Sequence, residues 1–245
     1  MTDAPVAVLT QCGDYVGPAL ARVLAASGHR LLLHAASDEL VTELRASGAT
    51  AVATAGDLTS AAGNHALVSE ALERYGRIDA ACFATGVIVT ARFLDTTPAE
   101  WDFLKRTCLD MVFHGLQAVL PPMADAGYGN VIVFTSATGR RGEPRAAGYS
   151  SVRAGANMLV EMAADQVAGR GVCVNAIGTN HMDFPGLIKA LGLEDPARRA
   201  KLEAQVPLQR LGTMSELAEF AAVLLDGRSR FQTGQFFSYS GGWSN

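Results

Sequence analysis

Short apolar runs rich in Val, Ile and Leu alternate with longer amphipathic segments along the chain. Such runs, separated by helices of ten or more residues, are typical of parallel strands that are buried on both faces of a sheet. Strands are predicted at residues 6–10, 30–35, 49–55, 78–86, 129–137, 171–178 and 234–242. Helices are predicted at residues 18–27, 38–47, 63–75, 98–126 and 147–168, the fourth with a local irregularity. Because crossovers between parallel strands are right-handed, the pattern predicts a doubly wound α/β sheet of seven parallel strands with helices on both faces.

A long segment near the end of the chain breaks this alternation. Residues 179–216 contain too many turn-forming residues for one regular element, so we expect a loop with short helices there. In open α/β sheets, ligands bind at the carboxyl ends of the strands. The segment follows the sixth predicted strand, and it is therefore the expected lid or wall of a substrate site.

Composition limits the classes of protein that this chain can belong to. Its 245 residues fit one domain spanning residues 1–245, and 49% of them are hydrophobic. The net charge is −4, with no basic cluster beyond the pair at residues 140–141. These values argue against a nucleic-acid partner and favour a small molecule.

Cysteine spacing and the N-terminal residues bear on the compartment. Cys12, Cys82, Cys108 and Cys173 show no C-x-x-C spacing, so we expect buried free thiols rather than disulfides or a metal site. The N-terminus lacks the basic segment of a signal peptide, and no apolar stretch reaches the roughly 18 residues that cross a membrane. The sequence therefore predicts a cytoplasmic protein that binds neither a metal nor a membrane.

Three polar residues form a candidate catalytic group. Ser136 lies at the carboxyl end of the fifth predicted strand, while Tyr149 and Arg153 lie four residues apart on one helix face. A phenol is a poor base near neutral pH, but a fixed cation favours its ionised form. Ser136 could donate a hydrogen bond to a substrate oxygen while Tyr149 removes the proton of that oxygen as a general base. The structural alternative is that Ser136 caps a strand end, Tyr149 packs and Arg153 pairs at the surface.

The first predicted turn departs from a dinucleotide-binding turn. That turn follows the first strand and uses glycines where the backbone must approach a pyrophosphate. Thr10 and Gly17 fit the pattern, but Gln11 and Tyr15 stand where the first two glycines are expected.

The combined motifs resemble those of the short-chain dehydrogenase/reductase superfamily. They include Ser136, Tyr149, the segment GDLT at 56–59, VNAIG at 174–178 and TGQFFSYSGGW at 233–243. The reductases of that superfamily have a lysine at the position of Arg153. Thr10, Tyr15 and Gly17, taken with Ser136, Tyr149 and Arg153, resemble the motifs of the halohydrin dehalogenases within the superfamily.

This resemblance implies a fold and an activity. The fold would be a single Rossmann-like domain. The protein would use no cofactor, close vicinal halohydrins to epoxides with release of halide and a proton, and reopen epoxides with azide, cyanide or nitrite. Ser136, Tyr149 and Arg153 would be the catalytic residues.

The resemblance also implies a halide site, a pocket and an assembly. The halide site would consist of Tyr15, Thr179, Asn180, His181 and Met182. The walls of the substrate pocket would include Phe83, Thr85, Thr138 and Glu143. The predicted helices at 98–126 and 147–168 carry apolar residues beyond one stripe, which agrees with the homotetramer usual for the family.

Two other functions compete with dehalogenation. One is an NAD(P)-dependent reductase with an altered glycine turn, and bulky Tyr15 together with Arg153 argues against it. The other is a non-catalytic relative that senses a ligand or contacts a protein, and the intact Ser136, Tyr149 and Arg153 set argues against that.

Overall fold

The computed structural model describes residues 4–84 and 89–244, and its centre is a sheet of seven parallel strands. The order across the sheet is β3-β2-β1-β4-β5-β6-β9. Its strands are β1 (Val6–Leu9), β2 (Arg30–His34), β3 (Ala51–Thr54), β4 (Ala80–Phe83), β5 (Gly129–Ser136), β6 (Val172–Thr179) and β9 (Phe236–Tyr239). Two short strands, β7 (Met182–Asp183) and β8 (Gly212–Thr213), pair with each other outside this sheet. The predicted fold class is confirmed.

Helices cover both faces of the sheet. They are α1 (Gly17–Ala26), α2 (Asp38–Ala46), α3 (Ala61–Tyr75), α4 (Pro98–Lys105), α5 (Met111–Ala126), α6 (Ala147–Val167), α7 (Pro185–Leu191), α8 (Pro196–Glu203) and α9 (Met214–Leu225). The apolar residues of α1, α2 and α9 form one core cluster, and those of α3, α5 and α6 form a second. In β1, Ala7 and Leu9 join the first cluster and Val8 the second, because successive side chains of a strand point to opposite faces.

The long helix predicted at 98–126 is two helices joined by an irregular turn. Residues Arg106–Asp110 form a π-helical turn between α4 and α5. The Thr107 hydroxyl donates a hydrogen bond to the Phe103 carbonyl at 2.8 Å, which satisfies a carbonyl near the change of pitch.

The segment at 179–216 holds more regular structure than its turn-forming residues suggest. It contains α7 and α8, and its end begins α9, which was not among the predicted helices. Thr213 and Glu216 form a capping box at the start of α9, with the Thr213 hydroxyl accepting from the Glu216 amide at 3.2 Å. This spacing of Thr and Glu before an apolar run is the signal that could have predicted α9.

The cysteines and the helix lengths bear on the predicted thiols and on the predicted absence of membrane segments. All four cysteines are buried free thiols, as predicted. Among the helices of residues 4–84 and 89–244, none is long and apolar enough to cross a membrane. The predicted cytoplasmic location stays a prediction.

Candidate active site

Two cavities open along the carboxyl ends of the strands. The chain winds outward in opposite directions from the neighbouring strands β1 and β4, and ligands of open α/β sheets bind at such a point. The larger cavity, of about 770 Å³, lies at the ends of β5 and β6. The smaller, of about 230 Å³, lies at the turn between β1 and α1. We refer to them as the catalytic cavity and the turn cavity.

Ser136 and Tyr149 both line the catalytic cavity. Ser136 is the last residue of β5 and pairs in register with Thr179 at the end of β6. Its hydroxyl donates to the Thr179 carbonyl at 3.3 Å and accepts from the Thr138 hydroxyl at 3.0 Å. Tyr149 enters from the first turn of α6. The structure therefore brings the two predicted hydroxyl groups to one cavity.

Arg153 lies beneath Tyr149 in the interior. Its side chain is buried, and the guanidinium carbon is 4.9 Å from the centre of the Tyr149 ring. Its Nη1 also donates to the Phe134 carbonyl at 3.3 Å. Burial lowers the pKa of Arg153, but the Tyr149 hydroxyl and neighbouring thiol and phenol groups outweigh that effect, so the pKa is raised. Arg153 is a permanent cation under the phenol, as the four-residue spacing predicts.

Tyr15 reaches from the first turn to the end of β6. Its hydroxyl forms a 2.5 Å hydrogen bond with the hydroxyl of Thr179. Its ring makes edge contacts with Phe134 and Phe184, at centroid distances of 5.8 and 5.0 Å. Burial raises the pKa of Tyr15, and the hydrogen bond with Thr179 offsets only part of that rise. Tyr15 is therefore a neutral phenol. Its side chain lines both cavities.

The first turn keeps the backbone shape of a glycine turn without two of its glycines. Gln11 and Tyr15 have φ values of 54° and 56°, in the left-handed region that favours glycine. At Gly17, a Cβ atom would lie 2.6 Å from the Cys12 Cα, so this position requires glycine. The close approach of Gly17 to Cys12 thus constrains the turn, and each side chain held in the left-handed region costs about 1–2 kcal/mol.

Residues 179–182 form one wall of the catalytic cavity. Thr179, Asn180, His181 and Met182 all line it. His181 has a φ of 53°, and its Nε2 is buried without a hydrogen-bond partner among the described residues. Burial lowers the pKa of His181, while Glu143 opposes the shift, so the imidazole is neutral near pH 7. The His181 ring makes an edge contact with Trp243 at 5.8 Å.

The predicted pocket walls are only partly correct. Thr138 and Glu143 line the catalytic cavity. Phe83 does not, because it is buried on the opposite face of β4, where a Cβ on Gly115 of α5 would lie 2.4 Å from its ring. In a strand that is apolar on both faces, the sequence does not show which side chains face the ligand. Thr85 lies outside the described residues.

The segment at 179–216 lines the catalytic cavity as the expected wall, and the structure adds which side chains of its helices face the cavity. The segment through α7 and α8 supplies a wall of leucines and two cations, namely Leu187, Leu191, Leu193, Leu202, Arg198 and Lys201. The four-residue spacing of Leu187 and Leu191, just after Pro185, is a helix signal that could have indicated part of it.

Comparison with known proteins points to reductases. The chain is 28% identical over 244 residues to the 3-oxoacyl-[acyl-carrier-protein] reductase of Staphylococcus epidermidis, covering 96% of this chain and 97% of that protein. It is 26% identical over 232 residues to the acetoacetyl-CoA reductase of Cupriavidus necator, covering 93% of each. Levodione reductase has a similar structure, with a TM-score of 0.90 at 29% identity, covering 100% of this chain and 98% of that chain. Actinorhodin polyketide ketoreductase, in a variant solved with NADPH, gives 0.91 at 26% identity, covering 99% and 98%.

The sequence model described as "Enoyl-(Acyl carrier protein) reductase" matches residues 15–244. With the doubly wound fold and the Ser136–Tyr149 site, this match shows that the chain belongs to that reductase family, within the short-chain dehydrogenase/reductase superfamily. The resemblance to the superfamily is confirmed.

The halohydrin dehalogenase activity implied by the narrower motifs is wrong. The relatives and structural neighbours are named as reductases, which contradicts a lyase that uses no cofactor. The halide role of Tyr15 and residues 179–182 depends on that activity and falls with it. In the structure these residues line the catalytic cavity.

Proposed function

We propose that this chain is a short-chain oxidoreductase that reduces a carbonyl group with a nicotinamide dinucleotide. The observation that carries the proposal is the position of Ser136 and Tyr149 on one cavity above the buried cation Arg153. The reductase names of the relatives support a redox reaction over other acid–base chemistry. The cavity volume of about 770 Å³ suits a small or medium-sized substrate.

The roles of the residues follow from their chemistry. Ser136 would turn its hydroxyl from the Thr179 carbonyl to the substrate oxygen and orient it. Tyr149 would donate its phenolic proton to that oxygen as negative charge develops there. Arg153 would stabilise the phenolate that remains. A bound dinucleotide would supply the hydride, so that hydride and proton together convert the carbonyl to an alcohol.

The residues of the first turn fit the phosphate end of a dinucleotide. The turn cavity lies at the N-terminus of α1, where backbone N–H groups and the helix dipole favour an anion. Gly13 lets the turn approach β2, since a Cβ there would lie 2.7 Å from the Ala35 carbonyl oxygen. Ala35 offers neither a carboxylate for a ribose hydroxyl nor a cation for a 2′-phosphate. The Asp14 carboxylate also lines the turn cavity and accepts from the Tyr15 amide at 2.6 Å, and its negative charge favours NADH over the more highly charged NADPH.

The nicotinamide end fits only if Tyr15 moves. A dinucleotide with its pyrophosphate at the first turn and its nicotinamide beside Tyr149 would have to extend through both cavities. The Tyr15 ring stands between these two places and lines both cavities. The groove therefore accepts the complete cofactor after the Tyr15 side chain leaves Thr179.

A reductase assay tests this proposal directly. The purified protein would be mixed with NADH or NADPH and a panel of ketones, 3-oxoesters and quinones, and loss of reduced-nicotinamide absorbance followed. Turnover of at least one carbonyl, abolished by Tyr149→Phe, is expected. Lack of turnover across the panel, together with lack of binding of either dinucleotide by calorimetry, would overturn it.

We also propose that the chain forms a homotetramer. Phe113 of α5 and Met158 and Met162 of α6 are 44%, 53% and 53% exposed, which is high for large apolar side chains. Two such helices from each of two subunits could bury these residues together. Light scattering at several protein concentrations tests this, and a monomer or a dimer at all of them would contradict it.

A further inference from the structure

Tyr15 separates the two cavities. Its side chain lines the turn cavity on one side and the catalytic cavity on the other. Its hydroxyl is bonded to Thr179, and its ring contacts Phe134 of β5 and Phe184. Tyr15 therefore spans from the β1–α1 turn to the end of β6, across the path between the two cavities.

Several contacts hold the ring in this position. The 2.5 Å hydrogen bond joins two neutral hydroxyl groups inside the protein, where it is stronger than in water. Two aromatic edge contacts add to it. Thr179 is fixed in turn by pairing with Ser136 on one side and Tyr239 on the other. Displacing the ring therefore costs free energy that a ligand must supply.

Displacement of the Tyr15 ring weakens the binding of only one part of a dinucleotide. The adenosine diphosphate part would occupy the turn cavity, and the Tyr15 ring could keep its contact with Thr179. The nicotinamide part would need the space between Tyr15 and Tyr149. Any free energy gained by binding nicotinamide is reduced by the free energy lost when the Tyr15 contacts break.

We infer that Tyr15 is a specificity-determining residue that lowers the affinity for the nicotinamide end of the cofactor relative to its adenosine diphosphate end. This inference rests on the proposed function, because it assumes that a dinucleotide binds across both cavities. It assigns the turn cavity as a site for an adenosine diphosphate group that does not require nicotinamide. The wild-type protein should therefore bind ADP-ribose about as tightly as it binds NADH.

The experiment compares the whole cofactor with its fragment in matched variants. ADP-ribose and NADH would be titrated by calorimetry into wild-type protein, Tyr15→Gly and Thr179→Val. Glycine suits the left-handed backbone at position 15, so the first variant keeps the turn. Thr179→Val removes only the hydroxyl partner of Tyr15 and serves if Tyr15→Gly fails to fold. Tyr75→Phe is the control, because Tyr75 loses a hydroxyl bonded to the Leu31 carbonyl, away from both cavities.

The expected result is a change in the ratio of the two affinities. Tyr15→Gly should tighten NADH by about tenfold, the equivalent of ~1.4 kcal/mol, and change ADP-ribose by less than about twofold. Thr179→Val should tighten NADH by about threefold, the size of one net hydrogen bond. The control should leave both affinities unchanged, and circular dichroism should show native folding throughout.

Two outcomes would overturn the inference, and they are distinguishable. If NADH binds and its affinity relative to ADP-ribose is the same in wild type, Tyr15→Gly and Thr179→Val, Tyr15 does not determine specificity, while the reductase proposal stands. If neither NADH nor ADP-ribose binds to any folded variant, the proposed function fails and this inference fails with it.

Discussion

The two cavities differ in whether the backbone or the side chains resemble those of a binding site. The turn cavity has the backbone of a nucleotide-binding turn, yet Gln11 and Tyr15 are not the residues which that backbone favours. In the catalytic cavity, Ser136 and Tyr149 lie outside the left-handed region, and their side chains supply the chemistry that we propose. A turn can thus keep the backbone of a binding site while a side chain such as Tyr15 occupies the space beside it.

The largest expected effect lies in the catalytic cavity. Tyr149→Phe removes the proton donor but keeps the ring above Arg153, so kcat should fall by about 10²–10⁴-fold. Binding of NADH, measured by calorimetry, should be nearly unchanged, because the variant keeps the aromatic ring beside the proposed nicotinamide position. Tyr128→Phe, a tyrosine bonded to the Asn130 amide outside both cavities, is the control. A Tyr149→Phe enzyme with near wild-type kcat would remove Tyr149 from the mechanism.

A smaller loss is expected when the cation below Tyr149 is removed. Arg153→Met should lower kcat by about threefold to thirtyfold, because a cation close to an aromatic ring contributes roughly 0.5–2 kcal/mol. Arg153→Lys restores the charge but not the planar group that also bonds the Phe134 carbonyl, so it should recover only part of the rate. Equal rates for all three proteins would show that the charge has no role in the reaction.

In the turn cavity, a glycine substitution should increase stability. Gln11→Gly relieves a side chain held at a φ of 54° and should raise the free energy of unfolding by about 1 kcal/mol. The same replacement at exposed Ala200, inside α8, should lower it by about 0.5–1 kcal/mol. Urea unfolding measures both changes. A destabilised Gln11→Gly would mean that side-chain contacts, rather than backbone strain, dominate at this turn.

The smallest effect concerns pH at the wall of the catalytic cavity. Burial lowers the pKa of His181 in the folded protein, so the folded state binds fewer protons there than the unfolded state. Stability should therefore decrease as the pH falls below about 6.5, and His181→Gln should make that decrease shallower. Buried His29, whose pKa is also lowered, retains its own contribution in this variant. Exposed His65→Gln is the control, and an identical pH slope in wild type and His181→Gln would contradict the prediction.

Motifs and overall similarity gave different answers about function. Thr10, Tyr15 and Gly17 with Ser136, Tyr149 and Arg153 favour a dehalogenase, whereas the family match over residues 15–244 and the named relatives favour a reductase. The two classes share a fold and an acid–base site, and fold does not determine function. The difference depends on whether a cofactor can pass Tyr15, which a motif does not report.

The layered fold, and the meeting of Ser136 and Tyr149 at one cavity, follow from patterns in the sequence. Alternation of apolar runs with amphipathic helices predicts the parallel sheet, because burial on both faces demands continuous apolar strands. The spacing of Tyr149 and Arg153 predicts their contact, since residues four apart share one helix face.

The positions of the other side chains follow from contacts between elements that are distant in the sequence. The hydrogen bond between the Tyr15 and Thr179 side chains joins residues 164 positions apart in the sequence, and no local sequence pattern predicts it. Phe83 faces α5 rather than the cavity. The sequence does not predict this, because a strand that is apolar on both faces gives no period-two signal. The physical reason is the same in both cases: periodicity records which residues are buried, whereas the packing of distant elements determines what each buried side chain touches.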